Sequence, residues 1–108
     1  MTDINLGEFE QLVLLALLRL GDDAYGVSIQ REIASRTGRD PSFGSVYTTL
    51  SRLEDKGLIA SRLGETTPQR GGRRKKLFVV LPAGQRAIAA SVHAVRVMAR
   101  GLGGSLLI

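Results

Sequence analysis

The stretch Gly44–Ile59, GSVYTTLSRLEDKGLI, decides how the rest of this 108-residue chain is read. Val46, Leu50 and Leu53 recur at i, i+4 and i+7, the spacing of one buried stripe on an α-helix. At about 100° per residue, Ser45, Thr48 and Arg52 fall on the opposite face, with Tyr47 and Thr49 at its edges. The outward side is therefore small, hydrogen-bonding, and uncharged or basic. Gly57 is a good helix terminator, so the helix is expected from about Ser42 to Lys56. The short apolar run that follows, Leu58–Leu63, reads as a strand.

Downstream, Leu77–Leu81 is a second short apolar run suited to pair with the first. The dozen or so residues between them are rich in Gly, Thr and Arg, a long connection for a hairpin and hence a functional or mobile one. It contains Arg70, Arg73, Arg74, Lys75 and Lys76 with no acid among them. The chain has 15 Lys plus Arg against 10 Asp plus Glu, so these five residues account for the whole formal net charge of +5. Positive charge gathered in one stretch points to a polyanionic partner. After Pro82, Ile88, Val92, Val95, Ala99 and Leu102 follow spacings of four, three, four and three, a heptad seam on a last helix. Ala87, Ala90, Ala94 and Met98 broaden its apolar surface beyond what one small domain can cover.

Upstream, nine of the twelve residues Phe9–Leu20 are apolar, giving a first helix from about Asn5, with Asn5 and Glu8 as its start signal. Its apolar residues exceed a single stripe, so it too must be covered from two sides. Gly21-Asp22-Asp23 ends it and offers N-caps to a second helix in which Tyr25, Ile29 and Ile33 recur every four residues, to about Arg36. Thr37–Pro41 is a turn cluster.

Composition narrows the function. No Cys and a single His, His93, leave neither a disulfide framework nor an ordinary zinc site, and a reducing cytoplasm is the compatible compartment. The longest apolar run, Leu12–Leu18, is closed by Arg19, so neither a signal peptide nor a membrane span is expected. Carboxylates are scattered, and no convergent acid, base or nucleophile suggests an enzyme. The paired glycines lack the strand, helix and Lys-Ser/Thr context of a phosphate loop, so no nucleotide, metal or other cofactor is expected.

Three helices, a two-stranded hairpin with a basic tip and a long last helix form the order of a winged helix-turn-helix, mainly α with a small β-hairpin. The expected division is residues 1–81 as the DNA-binding winged helix-turn-helix and 82–108 as a C-terminal dimerisation helix and tail, in one compact unit. A third helix whose outward face lacks carboxylates can enter the major groove, while the wing brings cations to phosphates.

Residues 6 to 88 also resemble the PadR transcriptional regulators. The resemblance rests on Leu6-Gly7-Glu8 before LVLLALL, on Ala24-Tyr25-Gly26, on GSVYTTLSRLEDKGLI, on GGRRKKLF and on Ala83-Gly84. It implies a homodimeric bacterial repressor of the family's short branch. Tyr47 and the polar face of the third helix would contact double-stranded DNA, and the wing would grip the backbone. The last helix would pair with its partner and with the other subunit's first helix. The expected DNA-binding set is Ser45, Tyr47, Thr48, Thr49, Arg52, Arg70, Arg73, Arg74, Lys75 and Lys76. The expected dimerisation set is Leu14, Leu18, Ile88, Val92, Val95, Ala99 and Leu102. A small-molecule effector is a further implied partner. Two departures stand out: Leu81-Pro82 occupies the place of the Thr that usually caps the last helix, and the chain lacks the Trp that sandwiches flat ligands in some relatives. The alternative reading is a winged-helix adaptor for a protein or RNA, whose third-helix face would tolerate change without effect on duplex binding. A ligand pocket between first and last helices would add to the regulator reading.

Overall fold

A computed structural model of the chain describes residues 5–66 and 74–106. Along them the order is α1 (Glu8–Leu20), a 3-10 turn (Gly21–Asp23), α2 (Gly26–Thr37), α3 (Phe43–Asp55), β1 (Ile59–Thr66), β2 (Arg74–Val80), α4 (Pro82–Ala99) and α5 (Gly103–Leu106). The fold is mainly helical with one antiparallel hairpin, as expected.

The first three helices each begin where a side chain satisfies an otherwise orphaned backbone donor. Ser42 caps α3, its hydroxyl accepting from the Ser45 N–H at 3.1 Å. At α1 the capping pair is Gly7 and Glu10, each two residues beyond the expected Asn5 and Glu8. Leu6 is drawn into the core, and the Gly7 N–H donates to Glu10 Oε1 at 2.9 Å. Asp22 and Asp23 do not cap α2, because they lie in the 3-10 turn; Tyr25 is its N-cap, and Ser28 Oγ accepts from the Tyr25 N–H at 3.0 Å.

Val13, Leu14 and Leu17 of α1, Ile29 and Ile33 of α2, and Val46, Leu50 and Leu53 of α3 form one buried cluster, closed by Leu58, Phe78 and Ile88. Each large side chain buried this way contributes about 1.5–3 kcal/mol, so three helices and the hairpin root hold one another in place.

The strands are longer than their apolar runs, and the interval between them, residues 67–73, is shorter than the expected dozen. Pairing runs from Ile59 opposite Val80 to Leu63 opposite Lys76, then slips by one residue so that Thr66 faces Arg74. This is the signature of a bulge. The free edge of β2 is tied to the body, where the Phe78 N–H donates to the Ala24 carbonyl at 2.8 Å.

Pro82 opens α4 without a side-chain cap at Leu81, in keeping with the missing Thr. The Leu81 N–H donates to the Leu58 carbonyl at 2.9 Å, and Gly84 sits so close that a Cβ there would lie 2.1 Å from the same oxygen. Only glycine permits this approach of α4 to the start of the hairpin. Ala87 and Ile88 are buried just beyond it, whereas the second half of the helix leaves the body. The helix stops at Ala99, short of Leu102: Arg100 is already extended, with ψ 129°, and Gly101 follows with a positive φ of 84°.

Candidate nucleic-acid interface

The outward face of α3 presents Ser45, Tyr47, Thr48 and Arg52, all exposed, and no acid occurs on the helix before Glu54. Ser45 is turned back on the cap, its hydroxyl 2.7 Å from that of Ser42. Thr49 departs from expectation. It is only 6% exposed, because the inward stripe is wider than Val46, Leu50 and Leu53 and takes this edge residue with it. Thr49 is thus a core residue with no surface for DNA. Phe43, half exposed at the first position of α3, was not anticipated; a lone aromatic beside a turn carries no periodic signal.

Tyr47 is 49% exposed, and the inner part of its ring rests against the first turn of α2. The wing is fixed to that same turn: the Lys75 ammonium stands 4.2 Å from the centroid of the Tyr25 ring. Lys76 lies 3.8 Å from the Glu54 carboxylate, which also accepts from the Ser61 hydroxyl at 2.8 Å. Both lysines remain exposed. Arg74 opens β2 opposite Thr66, and Arg70 and Arg73 lie outside the described residues.

Two ion pairs bracket α3. Arg39, before it, donates to Glu8 at 2.8 Å, and Lys56, at its end, donates to Glu10 at 2.8 Å. The hydrogen bond and charge of Arg39 hold the Glu8 carboxyl below its usual range. Partial burial works to raise Glu10, but the Lys56 ammonium, the Gly7 N–H and the charge of Arg52 outweigh it, and the net shift is downward. The first turn of α1 therefore grips the recognition-type helix at both ends.

The expected dimerisation residues divide. Leu14 and Ile88 are buried in the chain's own core and have no surface left for a partner. The apolar residues of α1 spread over more than one face and the heptad phase of α4 is shared by both uses, so spacing alone does not separate them. Val92 packs partly on the core, and Ala99 is half buried. Leu18, Val95 and Leu102 are exposed, Val95 at 61%, and Met98 beside it at 77%. Leu102 follows the end of α4 rather than extending its seam. A groove of about 270 Å³ lies between the end of α1 and β2, lined by Leu17, Leu18, Leu77 and Phe78 among others; none of its lining residues comes from α4. Among the described residues no helix is long and apolar enough to cross a membrane, and no group of three or more His, Cys, Asp or Glu could hold a metal ion.

Residues 14–90 match the model of the transcriptional regulator PadR-like family. The chain belongs to that family. As a PadR-like transcriptional regulator it shares its fold with several solved structures. A PadR family transcription regulator of Clostridium difficile superimposes with a TM-score of 0.76 at 24% identity, over 93% of this chain and 99% of that one. A PadR family regulator of Eggerthella lenta gives 0.68 at 26% identity, over 92% and 86%. Bacillus subtilis PadR, solved in complex with operator DNA, gives 0.65 at 22% identity, over 78% of this chain and 47% of that chain. Among curated proteins none matches this PadR-like sequence.

Proposed function

We propose that this PadR-like chain is a homodimeric repressor that reads a pseudo-palindromic operator and occludes a promoter. The observation that carries the reading is the outward face of α3, exposed and free of carboxylates at Ser45, Tyr47, Thr48 and Arg52, with a hairpin bearing Lys75 and Lys76 beside it. The likeness of the fold to Bacillus subtilis PadR bound to operator DNA supports it. Residues 1–81 contact the duplex, and the bare half of α4 pairs with a second copy. Pairing about a two-fold axis sets two α3 helices about 34 Å apart, one turn of the duplex. Lys75, Lys76 and the arginines of the wing neutralise phosphates, and α3 reads base edges.

The test is fluorescence anisotropy with the duplex upstream of the chain's own gene and a scrambled duplex, across a salt series. The expected result is at least about a hundredfold preference for the upstream duplex, with log affinity falling as log salt rises. In an Arg73→Gln, Arg74→Gln variant, affinity falls for both duplexes and the salt slope flattens by about one per lost phosphate contact. Absence of binding to either duplex at low salt overturns the reading in favour of a protein-binding adaptor. A small-molecule effector is part of the same reading, tested by screening for compounds that raise the melting temperature and weaken DNA binding together.

A further inference from the structure

We propose that Gly26 is a specificity-determining position that acts by seating Tyr47. The inference rests on the reading of α3 as the DNA-contacting helix, and it adds a residue that contacts no DNA itself. Gly26 is the first residue of α2 and is buried. A Cβ built there would lie 2.1 Å from Tyr47 Oη, 2.4 Å from Cζ and 3.0 Å from Cε1. The phenolic end of the Tyr47 ring thus fills the space that a side chain at position 26 would take. Gly26 does not have a positive φ, so its backbone does not require glycine. What requires it is the ring.

The contact has a functional consequence because Tyr47 is half exposed. A tyrosine on an open helix face moves among several rotamers, and choosing one on binding costs affinity. Here the turn of α2 has already made that choice, holding the phenolic end of the ring and leaving the residue half exposed on α3. The preceding residue, Tyr25, carries the Lys75 ammonium over its ring, so adjacent positions 25 and 26 orient the wing and the reading helix respectively. Replacing Gly26 by Ala obstructs only the far end of a flexible side chain. The backbone of α2 accepts the exchange, since the φ of Gly26 is not positive. The variant therefore folds with Tyr47 displaced.

The experiment uses a duplex that the full chain itself selects from a random-sequence pool, and compares the parent with Gly26→Ala, Tyr47→Ala and the double variant. Losing one well-placed contact is worth about 1–3 kcal/mol, so Gly26→Ala binds the selected duplex about 5- to 150-fold more weakly. Its affinity for scrambled duplex and its salt slope do not change, because no charge is lost. The double variant binds like Tyr47→Ala alone, since the two substitutions remove one interaction. A uniform weakening on both duplexes, additive penalties, or parental affinity in Gly26→Ala overturns the proposal. So does a parental base preference in Tyr47→Ala, which applies even if Gly26→Ala does not fold. If the parent selects no duplex, it is the repressor reading that fails.

Discussion

Gly84→Ala tests the way α4 is rooted. The added Cβ would stand 2.1 Å from the Leu58 carbonyl oxygen, 3.0 Å from the Leu58 carbonyl carbon and 3.0 Å from Val80 Cγ1. Two of these are backbone atoms, which cannot swing aside as a side-chain tip does. Relief requires α4 and the start of β1 to separate by roughly 1 Å, which strains the Leu81 N–H bond to the same carbonyl. Overpacking of this kind costs about 1–3 kcal/mol. The weakened hydrogen bond adds about 1 kcal/mol, and the better helix propensity of Ala returns up to about 1 kcal/mol. A net loss of about 2 kcal/mol lowers the melting temperature of a domain of this size by about 8–16 °C, read by circular dichroism. Gly103→Ala is the control, since a Cβ there meets nothing within 4 Å. A Gly84→Ala protein melting within about 3 °C of its parent would refute the close approach of α4 to Leu58.

Glu10→Gln should leave the protein less stable at neutral pH and flatten its acid denaturation. The folded carboxyl titrates below its unfolded value, so its stabilisation is complete above the usual carboxylate range and fades as pH falls below it. Urea titrations at a series of pH values check this; equal acid slopes for parent and variant would remove Glu10 from the account. Val95→Glu with Met98→Glu places charge on the barest part of α4 and should give a stable monomer by analytical ultracentrifugation. An unchanged dimer mass would move the interface elsewhere. Arg52→Ala and Thr48→Ala should each reduce preference for the selected duplex by about 1–3 kcal/mol wherever a base contact is lost, by competition binding. Parental preference in both would exclude these side chains from base reading.

The third helix was legible almost to the residue. Its expected bounds, about Ser42 to Lys56, are the caps of the observed Phe43–Asp55, because a capping serine, one apolar stripe and a terminating glycine agree there. The hairpin was legible in kind and underestimated in length. Thr66 and Arg74 carry no apolar pattern, and their pairing is dictated by the ladder rather than by side chains. Burial on α1 was hard to read for the opposite reason. With leucine at 12, 14, 15, 17, 18 and 20, and only Gln11 and Arg19 polar among residues 11–20, the polar stripe is too thin to separate the leucines, and tertiary packing places Leu14 inside and Leu15 and Leu18 outside. Ile88 holds the same heptad position as Val95 one repeat earlier, yet the Gly84 contact brings the first half of α4 against the core and leaves the second half bare. Thr49 shows the limit of a wheel, whose edge positions are decided by how closely the neighbouring helices approach. The seat of Tyr47 on Gly26 joins residues 21 apart in sequence, and no periodicity encodes it.

The ion pairs around α3 also bear on how a salt titration is to be read. Arg39, Lys56 and Lys76 carry their own protein-supplied counterions in Glu8, Glu10 and Glu54. When such a cation turns to a phosphate, a condensed ion leaves the duplex but the carboxylate left behind draws a cation from solution, so the net ion release is smaller. The salt slope of DNA binding therefore registers fewer contacts than a count of basic residues near the interface. Removing one of these carboxylates would lengthen the electrostatic reach of the protein and blunt its discrimination, since the liberated cation attracts every phosphate alike.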